Sequence, residues 1–116
     1  MKVLIPVNDD KLTICPVFAR APFFMIYNDA TVDCVDNPAT NAQGGAGLKA
    51  AQFVVDQEVD AVITPRLGEN AADVFHAAEI KIYLSNGDDA KANAQMLLKN
   101  ELEELAHFHS GFVGKQ

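Results

Sequence analysis

The sequence predicts an α/β fold, a mixed sheet covered by helices, on three observations. Five short apolar runs, rich in Val and Ile and bounded by turn formers, read as strands. Three stretches repeat small or apolar residues at helical spacing. Their order, β-β-β-α-β-α-β-α, opens on a hairpin and then alternates, and strands joined through helical crossovers must pair in parallel.

Lys2–Val7 is the first strand. Phe23–Tyr27 and Thr31–Asp36 follow, and the short Asn28-Asp29-Ala30 connection between them predicts an antiparallel hairpin. From Gly45, the residues Leu48, Ala51 and Val55 fall on one face of a helix expected to end near Glu58. Ala61–Thr64 is the fourth strand. Ala71, Val74, Phe75 and Ala78 form the cleanest amphipathic stretch and predict the second helix. Ile80–Leu84 is the fifth strand. Ala94, Leu98, Leu102 and Leu105 predict a third helix, entered through Gly87-Asp88-Asp89, where an aspartate can cap it. Open sheets of this kind bind ligands beyond the carboxyl ends of their strands. The loops Asn8–Pro22, Asn37–Gly47 and Pro65–Asn70 can all meet there.

Composition narrows the function. A chain of 116 residues with 49% hydrophobic and 22% charged residues is a compact domain rather than a disordered one. We expect one domain over residues 1–106 and a flexible tail over 107–116. A net charge of −7 argues against nucleic acid and against an anionic membrane surface as partners. The opening "MKVLIPVNDD" has too short an apolar run for a signal peptide, and no stretch approaches the roughly 20 apolar residues of a membrane span. The expected compartment is therefore the cytoplasm, with both cysteines as free thiols.

The stretch "CPVFARAPFF" (15–24) is unusually apolar for a loop, yet it holds a thiol and one of only two arginines. Arg66 follows the fourth strand, so the predicted topology brings both guanidinium groups to the same edge. Arginine is a planar, permanently charged donor suited to anions; the plain alternative is two unrelated surface ion pairs. "QGGAGLKAA" and "RLGENAA" place glycines at two helix entrances, where backbone amides attract anions, with Asn70 a candidate cap. Neither matches a Walker loop or a dinucleotide fingerprint.

Cys15, in its loop, is the candidate thiolate for a metal or metal–sulfur cluster, whereas Cys34 reads as a buried, inert thiol. His107 and His109 form an H-x-H with Glu103 one turn earlier, a pattern able to bind a transition metal, but a solvated tail is the better reading. His76 reads as a surface helix residue, and Asp9 and Asp10 as a turn. No nucleophile elbow, zinc-protease motif or acidic catalytic set is present, so a binding protein is favoured over an enzyme.

"PVFARAPFF", Asn37-Pro38, "GAGLKAAQFV", "VDAVITPRLGENA" and "AAEIKIYLSNG" run in the order and spacing of one family. Over roughly residues 2 to 100 the chain resembles the dinitrogenase iron–molybdenum cofactor biosynthesis proteins, which include NifX-like carriers and the C-terminal domain of NifB. The resemblance implies a ribonuclease-H-like three-layer fold with a mixed five-stranded sheet. It also implies a non-enzymatic role: holding or delivering iron–molybdenum cofactor, its precursor, or a related molybdenum, iron or copper sulfide cluster. Cofactor-assembly or acceptor proteins would be the partners.

Arg20 matches the family's loop arginine, Phe18 and Phe24 its two Phe positions, Gly45 and Gly47 the Gly-Ala-Gly that opens the first helix, and Gly68 and Asn70 the loop before the second. Val17 and Ala19 stand where the family often has His and Gly, Gln43 and Gly44 where many members carry another His, and Pro65-Arg66 where a small uncharged pair is usual. The expected site is therefore Cys15, Phe18, Arg20, Gln43, Gly44, Gly45, Gly47, Arg66, Gly68 and Asn70, with Cys15 its metal ligand. The arginines would neutralise an anionic cluster and Phe18 would exclude water. The absent histidines keep a second reading open, a regulatory or protein-interaction module of the same fold that has lost the cofactor.

Overall fold

In the computed structural model, which describes residues 1–29 and 31–109, all five strands join one sheet in the order β3-β2-β1-β4-β5. The strands are β1 (Lys2–Val7), β2 (Phe23–Asn28), β3 (Thr31–Asp36), β4 (Ala61–Thr64) and β5 (Lys81–Leu84). The helices are α1 (Ala46–Asp56), α2 (Glu69–Ala77) and α3 (Ala90–Leu98). β1–β2 and β2–β3 pair antiparallel, while β1–β4 and β4–β5 pair parallel. The mixed sheet expected from the element order is thus observed.

β1 sits at the centre because it is apolar on both faces. Val3, Leu4, Ile5 and Val7 are all completely buried. On one face, Leu4, Phe24, Ile26, Val62 and Ile82 pack with residues of α1 and α2. On the other, Val3, Ile5, Met25, Ala61 and Ile63 pack with Ala90, Ala94 and Leu97 of α3. Two helices, a sheet and one helix make three layers.

Two helices differ from expectation. α1 buries Ala46, Ala50, Ala51 and Val54, whereas Leu48, expected on the core face, is 48% exposed. Small residues let α1 lie close to α2, so the buried stripe consists mostly of alanines. α3 stops at Leu98, and Asn100 adopts the left-handed conformation at φ 60°. Leu102 is buried, as its spacing implied, but from extended chain rather than from a helix. Residues 101–109 form a strap that runs along the outer edge of β5. There the Leu84 amide donates to the Glu103 carbonyl at 2.8 Å, and the Leu105 amide to the Ile82 carbonyl at 2.9 Å. The strap covers an edge that would otherwise present unpaired amides.

Candidate functional site

A cleft of about 430 Å³ opens beyond the carboxyl ends of β1 and β4. Three segments wall it: Val17–Arg20, Gly45–Leu48, and Arg66–Gly68 with Asn70 and Ala71, while His109 completes the rim. These are the three loops that the topology was expected to bring together, and the volume lies in the range of small-molecule sites, roughly 300–1,000 Å³.

The loop after β1 is shaped by its apolar residues. Ile14 folds back beside Val7, and the Cys15 amide donates to the Pro6 carbonyl at 2.9 Å. The chain then makes a 3₁₀ turn, Phe18–Arg20. Phe18 anchors that turn: its ring stacks on Phe24 at 5.2 Å and meets Phe75 edge-on at 5.7 Å. It is 4% exposed, so it belongs to the core and also lines the cleft.

Asn37 latches the turn to the chain entering α1. It is 4% exposed; its amide nitrogen donates to the Ala19 and Ala21 carbonyls at 3.1 and 2.9 Å, and its oxygen accepts from the Ala39 amide at 2.9 Å. Arg20 adds a second latch, its Nη1 donating to the Thr40 and Ala42 carbonyls at 3.2 and 3.0 Å.

Two helix N-termini meet this cleft. α1 begins at Gly45, which holds the left-handed conformation at φ 68°, and α2 begins at Gly68; neither start has a side-chain cap. The first intrahelical donors are Lys49 and Ala72, so the amides of Ala46, Gly47 and Leu48 in α1, and of Asn70 and Ala71 in α2, have no carbonyl in their own helix. Each end carries the positive pole of its helix. Glycine at position 68 has a packing reason, since a Cβ there would lie 3.1 Å from the His109 ring.

Charge reinforces the helix poles. Arg20 and Arg66 both line the cleft, and among the described residues the ion pairs are Met1–Asp29 and Lys81–Glu104, which involve neither arginine. Among the described residues no Asp or Glu lines the cleft. In a chain of net charge −7, this is a concentrated positive patch. No group of three His, Cys, Asp or Glu able to hold a bare metal ion occurs among the described residues. The donor set suits an anion.

The family model for dinitrogenase iron–molybdenum cofactor proteins matches residues 1–100. The chain belongs to that family. Similar proteins include an uncharacterised protein of Methanocaldococcus jannaschii, 27% identical over 90% of this chain and 92% of its own. A Thermotoga protein described as a candidate NifB protein is 32% identical, with a TM-score of 0.75, over 92% of this chain and 95% of that one. The apo form of the orange protein from Desulfovibrio gigas shares the fold at a TM-score of 0.82 and 24% identity, over 90% of this chain and 92% of that one. Membership associates the chain with the biosynthesis or binding of iron–molybdenum cofactor. No helix among the described residues is long and apolar enough to cross a membrane.

Of the expected site residues, Phe18, Arg20, Gly45, Gly47, Arg66, Gly68 and Asn70 line the cleft. Gln43 and Gly44 do not; both are exposed on the approach to α1. Cys15, expected as the metal ligand, is also outside the lining and is buried. It is 8% exposed, in the same core cluster as Phe18, because the back-folded loop carries it inward, and its Sγ lies 3.6 Å from the Val17 carbonyl.

Cys34, expected to be buried, is half-buried on the opposite face of the sheet, where desolvation raises its thiol pKa. Both thiols are free, and the sheet separates them. His76 is exposed on α2, as expected, with the Phe108 ring 5.7 Å away. Of the expected tail, His107–His109 are described and residues 110–116 lie outside the described residues. His107 is exposed, whereas His109 joins the cleft wall. Sequence reasoning missed His109 as a wall residue, Leu48 and Val17 as an apolar rim, and Asn37 as the latch. For Asn37 the signal was present, an Asn-Pro step shared with the family.

Proposed function

We propose that this chain binds and carries an anionic metal–sulfur cofactor: iron–molybdenum cofactor, its precursor, or a related molybdenum, iron or copper sulfide cluster. The cluster is cargo, and the chain performs no catalysis on it. One observation carries the reading: two uncapped helix N-termini and two arginines outside any described ion pair line one acid-free cleft. Arg20 and Arg66 supply charge and the amides of α1 and α2 supply short-range donors, while Phe18 and Leu67 exclude water and so strengthen every ionic contact. Val17 and Leu48, each 48% exposed at the rim, give an assembly or acceptor protein an apolar landing surface.

Oxygen-free incubation with tetrathiomolybdate and iron sulfide sources tests the reading, followed by absorption and native mass. The wild-type chain forms a coloured one-to-one adduct. Replacing either arginine with glutamine weakens it about tenfold, the expected worth of a charge-assisted hydrogen bond. Unchanged binding in the Arg20→Gln, Arg66→Gln double variant would refute this site. Absence of any adduct with the wild-type chain would instead favour the interaction-module reading, in which the same rim docks a protein.

A further inference from the structure

One piece of the cleft wall comes from beyond residue 100, where the match to the family model ends. After α3 the strap crosses the edge of β5 and reaches the start of α2. There the His109 amide donates to the Leu67 carbonyl at 3.1 Å, and the Glu69 amide donates to the His109 carbonyl at 2.8 Å. The strap is therefore fastened on both sides of this residue's own Cα. In extended chain successive side chains point to opposite sides. Phe108 packs on the α1–α2 core cluster, and the ring of His109 lies over Gly68 and into the cleft. A Cβ at position 68 would crowd that ring at 3.1 Å, so glycine there lets the wall and the strap fit each other.

Among the described residues that line the cleft, His109 alone is a His, Cys, Asp or Glu. The arginines attract an anion but cannot ligate a metal, and the remaining walls are glycine, alanine, larger apolar residues and Asn70. Imidazole is a good ligand for iron and copper. We propose that His109 coordinates a metal of the cargo, so that the strap delivers the site's one metal ligand while the arginines and helix ends hold its charge. This rests on the cargo reading above. An imidazole nitrogen replaces a water on an iron atom of the cluster, and no electron is transferred.

Two probes separate the two claims. Tetrathiomolybdate alone is an anion whose molybdenum already carries four sulfides, so it reports charge recognition. Tetrathiomolybdate with ferrous ion adds an iron with exchangeable positions, so it also reports ligation. Titrating both probes, without oxygen, into wild-type, His109→Ala and His107→Ala protein gives the comparison. In His109→Ala the loss should be greater for the iron-containing probe than for tetrathiomolybdate alone by roughly tenfold or more, the scale of metal-site ligand perturbations. A nitrogen shell in the iron X-ray absorption of the wild-type adduct should disappear in that variant and return with added imidazole, which separates ligation from misfolding. His107→Ala should behave as wild type. Equal losses for both probes, or an unchanged nitrogen shell, would overturn the role of His109 and leave the carrier reading standing. Failure of wild-type protein to bind either probe would overturn both.

Discussion

The three α-helices among the described residues begin in two different ways. α3 starts closed: the Asp89 side chain accepts from the Ala92 amide at 3.0 Å, and the Leu12 carbonyl accepts from the Ala90 amide at 3.0 Å. α1 and α2 start at glycines that offer no side chain; in α2 the Glu69 amide donates to the His109 carbonyl at 2.8 Å, while Ala46, Gly47 and Leu48 of α1 and Asn70 and Ala71 of α2 line a cleft. A glycine in place of a capping side chain costs a helix roughly a few tenths of a kcal/mol. Two missing caps beside two arginines, at one end of one sheet, mark where the fold gives up local stability and keeps donors available. The closed end marks where it does not. The chain thus separates an open end, the proposed binding end, from a structural one with the same kind of element.

Breaking the latch of the open end should give the largest stability effect. Asn37→Ala leaves the Ala19 and Ala21 carbonyls and the Ala39 amide without their partner. Urea unfolding should show a loss of about 3 kcal/mol, accompanied by weaker anion binding as the Phe18–Arg20 turn separates from the approach to α1. A loss no larger than that of a surface substitution would mean that Asn37 does not hold the cleft.

Removing the cap of the closed end should cost less and teach more. Asp89→Ala should lower stability by about 1 kcal/mol and leave anion binding unchanged, because α3 packs on the far face. If binding weakens as well, the two ends are not independent.

The smallest effect should come from Asp10, whose turn holds the loop that supplies the Leu12 carbonyl to α3. Its carboxylate accepts from the Thr13 and Leu12 amides and from the Thr13 hydroxyl, which lowers its pKa below the ordinary 3.8. A lowered native pKa stabilises the fold in full above the ordinary value, and the contribution disappears as pH falls through the native value. Asp10→Asn should therefore flatten the stability profile below about pH 4. An identical acid limb in the variant would show that this turn does not contribute.

The sheet was legible because its signals are local. Alternating Val and Ile runs, the Asn28-Asp29-Ala30 connection and the crossovers determine the strand pairing with few alternatives. The capping role of Asp89 was legible for the same reason. The phase of α1 was not, because Leu48 is the large apolar residue there, yet the close approach to α2 selects alanines and leaves Leu48 at the cleft rim. α3 appeared to continue through Leu102 and Leu105 because both bury apolar surface at helical spacing. Asn100 ends the helix without the glycine or proline that would have announced it, and the strap then buries Leu102 from a different backbone.

The errors at the site have the same character. Arg20, Arg66 and the two glycine entrances were visible as residue types in predicted loops, and strand order then brought them together. Cys15 was misplaced because nothing in "TICPVF" says that the loop folds back on β1. His109 was hidden because a histidine near the end of a chain carries no sign of the strap that fastens it.

The central claim is that anions bind at the open helix ends and not at the closed one, and backbone amide chemical shifts report that directly. ¹⁵N-labelled apo-protein would be titrated with tetrathiomolybdate in the absence of oxygen. We expect saturable shifts at Ala46, Gly47, Asn70 and Ala71 and none at Ala90 or Ala92. Shifts concentrated at the start of α3, or spread without saturation over surface lysines, would contradict the account.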